Sequence, residues 1–241
     1  PVAWSSALGS YAEEVVLPAR GAVSVPPDVS LEVAAAAMLQ GMTAHYLATS
    51  TFPLRSGHRC LIHAGAGGVG RLLIQIAKHR GAEVFTTVST QAKAGLAESA
   101  GADHVIRYTE ANFAEAVESI AGPRPLDVVF DGVGASTFDL GLSLLKPRGL
   151  IALFGQSSGV VPPFDLGRLA TMGSLYVTRP TLFSYIAERS ELVRRSSEVF
   201  EWIQSGRLDI RIGSRWPLAE AAEAHRALEA RRTTGKVLLL P

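Results

Sequence analysis

The chain has 241 residues, 47% of them hydrophobic, enough to bury a sizeable core as one large domain or two modest ones. Its 23 lysines and arginines nearly cancel its 22 aspartates and glutamates, which argues against nucleic-acid or membrane-surface binding carried by bulk charge. The single cysteine, Cys60, excludes an internal disulfide framework and any multi-cysteine metal site, and no apolar run reaches the roughly 18–20 residues of a membrane span.

No signal peptide opens the chain, so a cytoplasmic protein is expected. Residues 1–27 read as irregular β structure, with short strands predicted at 11–17 and 23–25 that need partners elsewhere. Asp28 and Ser30 are N-cap candidates for an alanine-rich helix over 31–39, and Gly41 separates it from a second helix over 42–49. From residue 59 the pattern turns regular. Strands are predicted at 60–64, 83–88, 104–108, 127–131, 150–154 and 174–178, with helices at 69–80, 91–100, 112–121 and 137–145 between most of them. This alternation calls for an α/β fold with a doubly wound parallel sheet and right-handed crossovers. Several strands are apolar nearly throughout, as expected when helices cover both faces. Gly101 and Gly149 fall just ahead of strands, where αβ loops place glycine. A long amphipathic helix follows, with Leu192, Val199, Phe200 and Ile203 on one face and Arg189, Arg194, Arg195 and Glu198 largely on the other. A helix over 218–230 and a strand over 236–240 close the chain. The alanine-rich tract is a helix signal; there is no repeat.

The stretch 61–70 carries the chemistry. An apolar run ends in Gly65, Gly67 and Gly70, spaced G-x-G-x-x-G, and a helical pattern begins at the last of them. Gly65 permits a tight turn, Gly67 lets backbone approach a pyrophosphate, and Gly70 lets the helix pack close, with the helix N–H groups facing the anion. NAD-binding folds place a carboxylate about 20 residues on, at the end of the next strand. Here that strand ends in Thr87, Val88, Ser89 and Thr90, and Lys93 follows. A hydroxyl and an ammonium suit a 2′-phosphate, so NADPH is preferred to NADH. The alternative is that Ser89 caps a helix and Lys93 is a solvated charge. Tyr108, closing the third strand, is placed to stack on the adenosine end or to pack. Cys60 is expected to be a buried core thiol, and His63 a satisfied strand-end histidine.

Five stretches give the chain a family resemblance: 41–47 (Gly-Met-Thr-Ala-His-Tyr-Leu), 63–70, 131–134 (Asp-Gly-Val-Gly), 176–182 (Tyr-Val-Thr-Arg-Pro-Thr-Leu) and 230–235 (Ala-Arg-Arg-Thr-Thr-Gly). In this order they resemble the zinc-independent, zeta-crystallin-like NADPH:quinone oxidoreductases of the medium-chain dehydrogenase/reductase superfamily. The resemblance implies a Rossmann NADP-binding domain over 41–182. It implies that 1–40 is the last part of a GroES-like β-rich catalytic domain whose beginning is absent, and that 183–241 returns to that domain. It places Thr43 and Tyr46 near the nicotinamide and diphosphate, Gly68 and Val69 under the pyrophosphate, and Ser89, Lys93 and Tyr108 at the 2′-phosphate end. Val133, Phe154, Gly155, Gln156, Ser157, Pro180, Thr181 and Leu182 line the nicotinamide pocket in this scheme, with Arg231 contributing from the returning segment. No metal is expected.

The resemblance implies NADPH-dependent reduction of a quinone by hydride or single-electron transfer. Tyr46 is the one hydroxyl named as a proton donor or orienting group. The alternatives are an enoyl or enone reductase and a non-catalytic NADPH-binding crystallin or RNA-binding protein; near-zero net charge argues against RNA. The chain is also readable as an inactive, truncated fragment. The predicted strand over 174–178 would sit at a sheet edge and invite pairing with a second copy as a homodimer.

Overall fold

The structure, a computed structural model, describes residues 1–230 and 232–241. The elements in chain order are β1 (Val2–Ala3), β2 (Val23–Ser24), α1 (Leu31–Tyr46), β3 (Arg59–Ile62), α2 (Gly68–His79), β4 (Glu83–Val88), α3 (Gln91–Ser99), β5 (His104–Arg107), α4 (Phe113–Ala121), β6 (Leu126–Asp131), α5 (Phe138–Ser143), β7 (Leu145–Leu153), α6 (Gly167–Thr171), β8 (Tyr176–Thr178), α7 (Leu182–Tyr185), α8 (Arg189–Gln204), β9 (Ile212–Pro217), α9 (Ala221–Glu229) and β10 (Lys236–Leu240). They form two compact units. One comprises Pro1–Tyr46, Gly67–Leu72 and Leu182–Pro241; the other comprises Leu47–Ala66 and Leu73–Thr181. No helix among the described residues is long and apolar enough to cross a membrane.

The second unit is the expected doubly wound sheet. Six parallel strands run in the order β5-β4-β3-β6-β7-β8. The order reverses between β3 and β6, and in such sheets ligands bind at the carboxyl ends of the strands beside this switch. Register explains the core: Leu61 pairs with Phe85 on one side and Val129 on the other, and Val129 pairs with Ile151. That row is fully buried with Val117 of α4 and Leu142 of α5 in the same core. Each such side chain contributes about 1.5–3 kcal/mol by leaving water. Thr90 and Asn112 start α3 and α4, their side chains accepting from Lys93 N (3.3 Å) and Ala114 N (2.9 Å). Cys60 is buried in β3, and burial pushes its thiol pKa up.

In the first unit, β1 and β2 form an antiparallel ribbon and β9 and β10 a parallel pair. Ser30 starts α1, its Oγ accepting from Val33 N at 3.3 Å. A Cβ on Gly41 would come 3.0 Å from Val199 Cγ1, so this glycine admits α8 against α1.

That contact corrects one expectation. Gly41 does not separate two helices: α1 runs unbroken to Tyr46, and residues Leu47–Thr51 continue as a π-helical turn. No strand forms over 11–17, which is mostly exposed and has no ladder partner; an isolated strand cannot satisfy its backbone. The strand expected over 174–178 is only Tyr176–Thr178, and Gly149 lies inside β7, not ahead of it. β9 was not anticipated, because Gly213 and Pro217 disguise its alternating pattern. On α8, Leu192, Val199 and Phe200 are buried as expected, but so is Arg195.

Candidate functional site

The glycine loop leaves β3 at the switch point. Ala64 takes a left-handed conformation (φ 56°), and Gly65 N donates to Thr87 O at 3.1 Å. A Cβ on Gly65 would lie 2.1 Å from Thr86 Oγ1, whose hydroxyl is already committed to Ile62 O (2.6 Å). The turn is therefore pressed against β4 with no room for a side chain. His63, just before it, is buried, with Nδ1 bonded to Thr87 Oγ1 (2.9 Å) and its ring edge-on to Phe113 at 4.9 Å. Its Nε2 has no partner, so this histidine is only half satisfied. Burial pushes its pKa down to about 4, against an opposing pull from Asp131.

The loops after β6 and β7 meet backbone to backbone. Phe154 N donates to Asp131 O (2.8 Å), Ser157 N to Gly132 O (3.3 Å) and Ser158 N to Val133 O (2.8 Å). A Cβ on Gly155 would stand 2.5 Å from Gly132 O, so only glycine allows this approach. The buried Asp131 carboxylate organises the first of these loops. It accepts from Val133 N (2.7 Å), Gly134 N (3.0 Å) and the Thr137 hydroxyl (2.8 Å). Thus Val133, Phe154, Gly155, Gln156 and Ser157 form one cluster, with Gln156 and Ser157 exposed.

A second cluster stands at the ends of β4 and β5. Lys93 Nζ donates to Ser89 Oγ at 3.3 Å, Thr109 Oγ1 donates to Ser89 O at 3.1 Å, and Tyr108 N donates to Val88 O at 3.1 Å. Tyr108 is 46% exposed, so packing does not account for it. The cap of α3 is Thr90, which leaves the Ser89 hydroxyl for Lys93. Pro180 is buried and Thr181 exposed at the end of this unit.

The remaining expected residues belong to the first unit. Gly67 O accepts from Arg71 N (3.0 Å) as α2 begins, with Gly68 and Val69 half-buried and Gly70 buried. A Cβ on Gly68 would fall 2.2 Å from the Gln40 amide, so a carboxamide from α1 occupies the space beside the loop. One turn on, the Thr43 hydroxyl donates to Leu39 O (2.7 Å), and Tyr46 is buried, its ring stacked on Tyr185 at 4.2 Å. Leu182 is buried at the start of α7. Arg231 lies outside the described residues.

Comparison with known proteins places this geometry. A family model described as zinc-binding dehydrogenase matches residues 68–198. A quinone oxidoreductase of Pseudomonas aeruginosa is 44% identical over 234 residues, covering 97% of this chain and 72% of the relative. A 2-haloacrylate reductase of a Burkholderia species is 41% identical over 237 residues, covering 97% and 71%. The crystal structure of Escherichia coli quinone oxidoreductase complexed with NADPH superimposes with a TM-score of 0.96 at 42% identity, covering 100% of this chain and 74% of that one. The chain belongs to the zinc-binding dehydrogenase family, in its quinone oxidoreductase group.

The family name refers to zinc, and the donor set here does not fit one. Among the described residues no three histidines, cysteines or carboxylates come together around a point, and Cys60 sits in the core with its thiol held protonated. The dinucleotide features of the group do fit: Gly65 and Gly155 stand where a Cβ would collide, at the carboxyl ends of β3 and β7. Asp131 and Gln40 were not assigned roles from the sequence. For Asp131 the signal was present, since an acidic residue two and three positions ahead of Val133 and Gly134 is an Asx-turn pattern. For Gln40 there was none.

Proposed function

We propose that this quinone oxidoreductase binds NADPH and reduces quinones or related conjugated carbonyl compounds. The observation that carries the cofactor choice is the Ser89–Lys93–Tyr108 cluster, a hydroxyl and an ammonium 3.3 Å apart with no carboxylate at the end of β4. A 2′-phosphate accepts from both the hydroxyl and the ammonium, and its charge makes each bond stronger than one to a neutral ribose hydroxyl. NADPH supplies a hydride when bound. Two-electron reduction of a quinone consumes that hydride and one proton. The loops at 131–134 and 154–158, with Pro180 and Thr181, would orient the nicotinamide and exclude water. Tyr46 is the hydroxyl we assign to orienting the acceptor or passing the proton. We also read residues 1–40 as part of a GroES-like domain and 183–241 as returning to it. We place the protein in the cytoplasm, as a homodimer joined along β8.

Cofactor titration tests the assignment. NADPH is expected to bind at least tenfold more tightly than NADH, and Lys93→Ala to weaken NADPH about tenfold while changing NADH by less than twofold, since a charge-assisted bond contributes about 1.5–3 kcal/mol and each 1.4 kcal/mol is a factor of ten. Preference for NADH overturns it. Measuring kcat/KM for a quinone and an open-chain enone on one preparation decides the acceptor; a larger value for the enone makes the protein an enone reductase.

A further inference from the structure

Arg195 lies on α8 among arginines that face water, yet its side chain is 4% exposed. Burying a guanidinium costs several kcal/mol unless its donors are matched, and a well-packed apolar residue in its place is often as stable or more so. All three of its nitrogens have partners. Nε donates to Tyr185 O (3.0 Å), one terminal nitrogen meets Glu191 Oε2 (2.6 Å), and the other donates to His45 Nδ1 (3.3 Å). The last contact fixes a tautomer. A guanidinium can only donate, so His45 Nδ1 accepts, and the imidazole proton sits on Nε2, where it is given to Glu198 Oε2 at 2.7 Å.

His45 is fully buried and its ring lies on Trp202 at 5.1 Å, so both nitrogens and one face are committed. Around it stand Arg194, Arg195, Glu191 and Glu198, two charges of each sign, with Arg194 bridging the two carboxylates at 2.8 and 3.0 Å. Burial holds the imidazole pKa below its ordinary value, Glu198 opposes this, and the two arginines reinforce it. A neutral His45 therefore sits inside a balanced charge cluster.

The cluster closes on Tyr46. The Arg195 guanidinium carbon lies 5.4 Å from the centre of the Tyr185 ring, and Tyr185 stacks on Tyr46 at 4.2 Å with 13° between the planes. Tyr46 is also the residue after His45. One guanidinium thus grips the carbonyl and ring of Tyr185 on one side of Tyr46 and the imidazole of its chain neighbour on the other. An apolar residue would pack α8 on α1 but could not hold both, and a lysine offers no planar fork to do so.

We propose that Arg195, acting through His45 and Tyr185, is a positioning residue that fixes the ring of Tyr46 for the reaction; the kinetic part rests on Tyr46 standing at the reaction centre. The test uses Arg195→Lys in the NADPH-bound protein, with the ring resonances of Tyr46 and Tyr185 followed by NMR beside kcat, KM and NADPH affinity. The Tyr46 resonances should shift. kcat should fall roughly tenfold with NADPH affinity changed less than threefold, as displacement of an aligned group predicts. In a Tyr46→Phe background the same substitution should change kcat less than twofold, because the two residues act as a unit. Glu198→Ala, at a partly exposed position, releases the second imidazole nitrogen and one end of Arg194 but leaves every contact of Arg195 in place. It should shift Tyr46 in the same direction by less, and it carries the test if Arg195→Lys does not fold. Unmoved Tyr46 resonances in the folded variants overturn the proposal, as does a loss of kcat that persists undiminished in Tyr46→Phe. Resonances that move while kcat stays constant support the positioning device and remove Tyr46 from the reaction centre.

Discussion

His63 holds an imidazole nitrogen with no partner inside the dry core of the sheet, and that has a measurable consequence. Its pKa is about 4 in the folded protein, against an ordinary value near 6.5. At neutral pH both folded and unfolded chains hold it uncharged. As pH falls below about 6.5 the unfolded state takes up a proton that the folded state refuses, so stability is lost down to about pH 4. The loss is about 3–4 kcal/mol, since each tenfold difference in proton affinity between the two states is worth about 1.4 kcal/mol. Urea unfolding of the wild type between pH 7 and pH 4 should show this decline, and His63→Asn, which keeps an amide near Thr87 and no titrating group, should flatten it. An equal slope in both proteins would locate the acid sensitivity elsewhere. The same scale shows where sequence reading runs out. That His63 ends a strand is visible in the pattern of residues around it. That Thr87 reaches only one of its nitrogens depends on register between β3 and β4. Arg195 is a sharper case: its helical position beside Arg194 reads as solvent-facing, and its burial depends on the carbonyl of Tyr185 and the imidazole of His45, from other helices, as well as on Glu191 of its own.

Among the elements, the loop after β6 depends on one carboxylate. Asp131 is buried and receives two backbone N–H groups and a hydroxyl, and it and the residues it shapes meet the loop after β7 through five backbone hydrogen bonds. Asp131→Ala strands those donors in a buried site, at about 1–3 kcal/mol for each that water cannot reach. We expect a loss of about 3 kcal/mol in urea unfolding and at least tenfold weaker NADPH binding. Asp131→Asn, which keeps one acceptor oxygen for Val133 N and Gly134 N, should lose less than half as much on both measures. If Asp131→Ala destabilises the fold but leaves cofactor affinity intact, the loop does not touch the nicotinamide end. Much of this level was legible. The strand–turn–helix context of Gly65, Gly67 and Gly70 announced a dinucleotide fold, because each glycine has a separate steric reason that the sequence displays in order. The misreadings came from elements whose identity is settled by a distant partner. Residues 11–17 look like a short strand ended by Pro18 but meet no ladder, β9 is a strand because β10 pairs with it, and Gly41 sits inside a helix because Val199 fills the space above it.

At the scale of the whole molecule, the parallel sheet ends at β8, and that end is unblunted. Among the described residues β8 pairs with β7 on one side only, and Tyr176 and Val177 are 59% and 39% exposed. A strand presenting unpaired backbone groups with aromatic and β-branched side chains is a template for pairing, and native edges usually carry a lysine, a proline or a bulge to prevent it. None of these lies within Tyr176–Thr178. A twofold axis through the middle of β8 would pair it antiparallel with the same strand of a second copy and continue the sheet from six strands to twice that number. The interface would be isologous, so one substitution acts twice. Val177→Lys places two ammonium groups near the axis and should convert a dimeric mass to a monomeric one by light scattering at micromolar concentration. Reversal with Val177→Thr, which keeps a β-branched side chain without the charge, would tie the effect to repulsion along the edge. A wild-type mass that is monomeric at high concentration would show that β8 is covered in some other way, and would leave the exposure of Tyr176 and Val177 as the feature to explain.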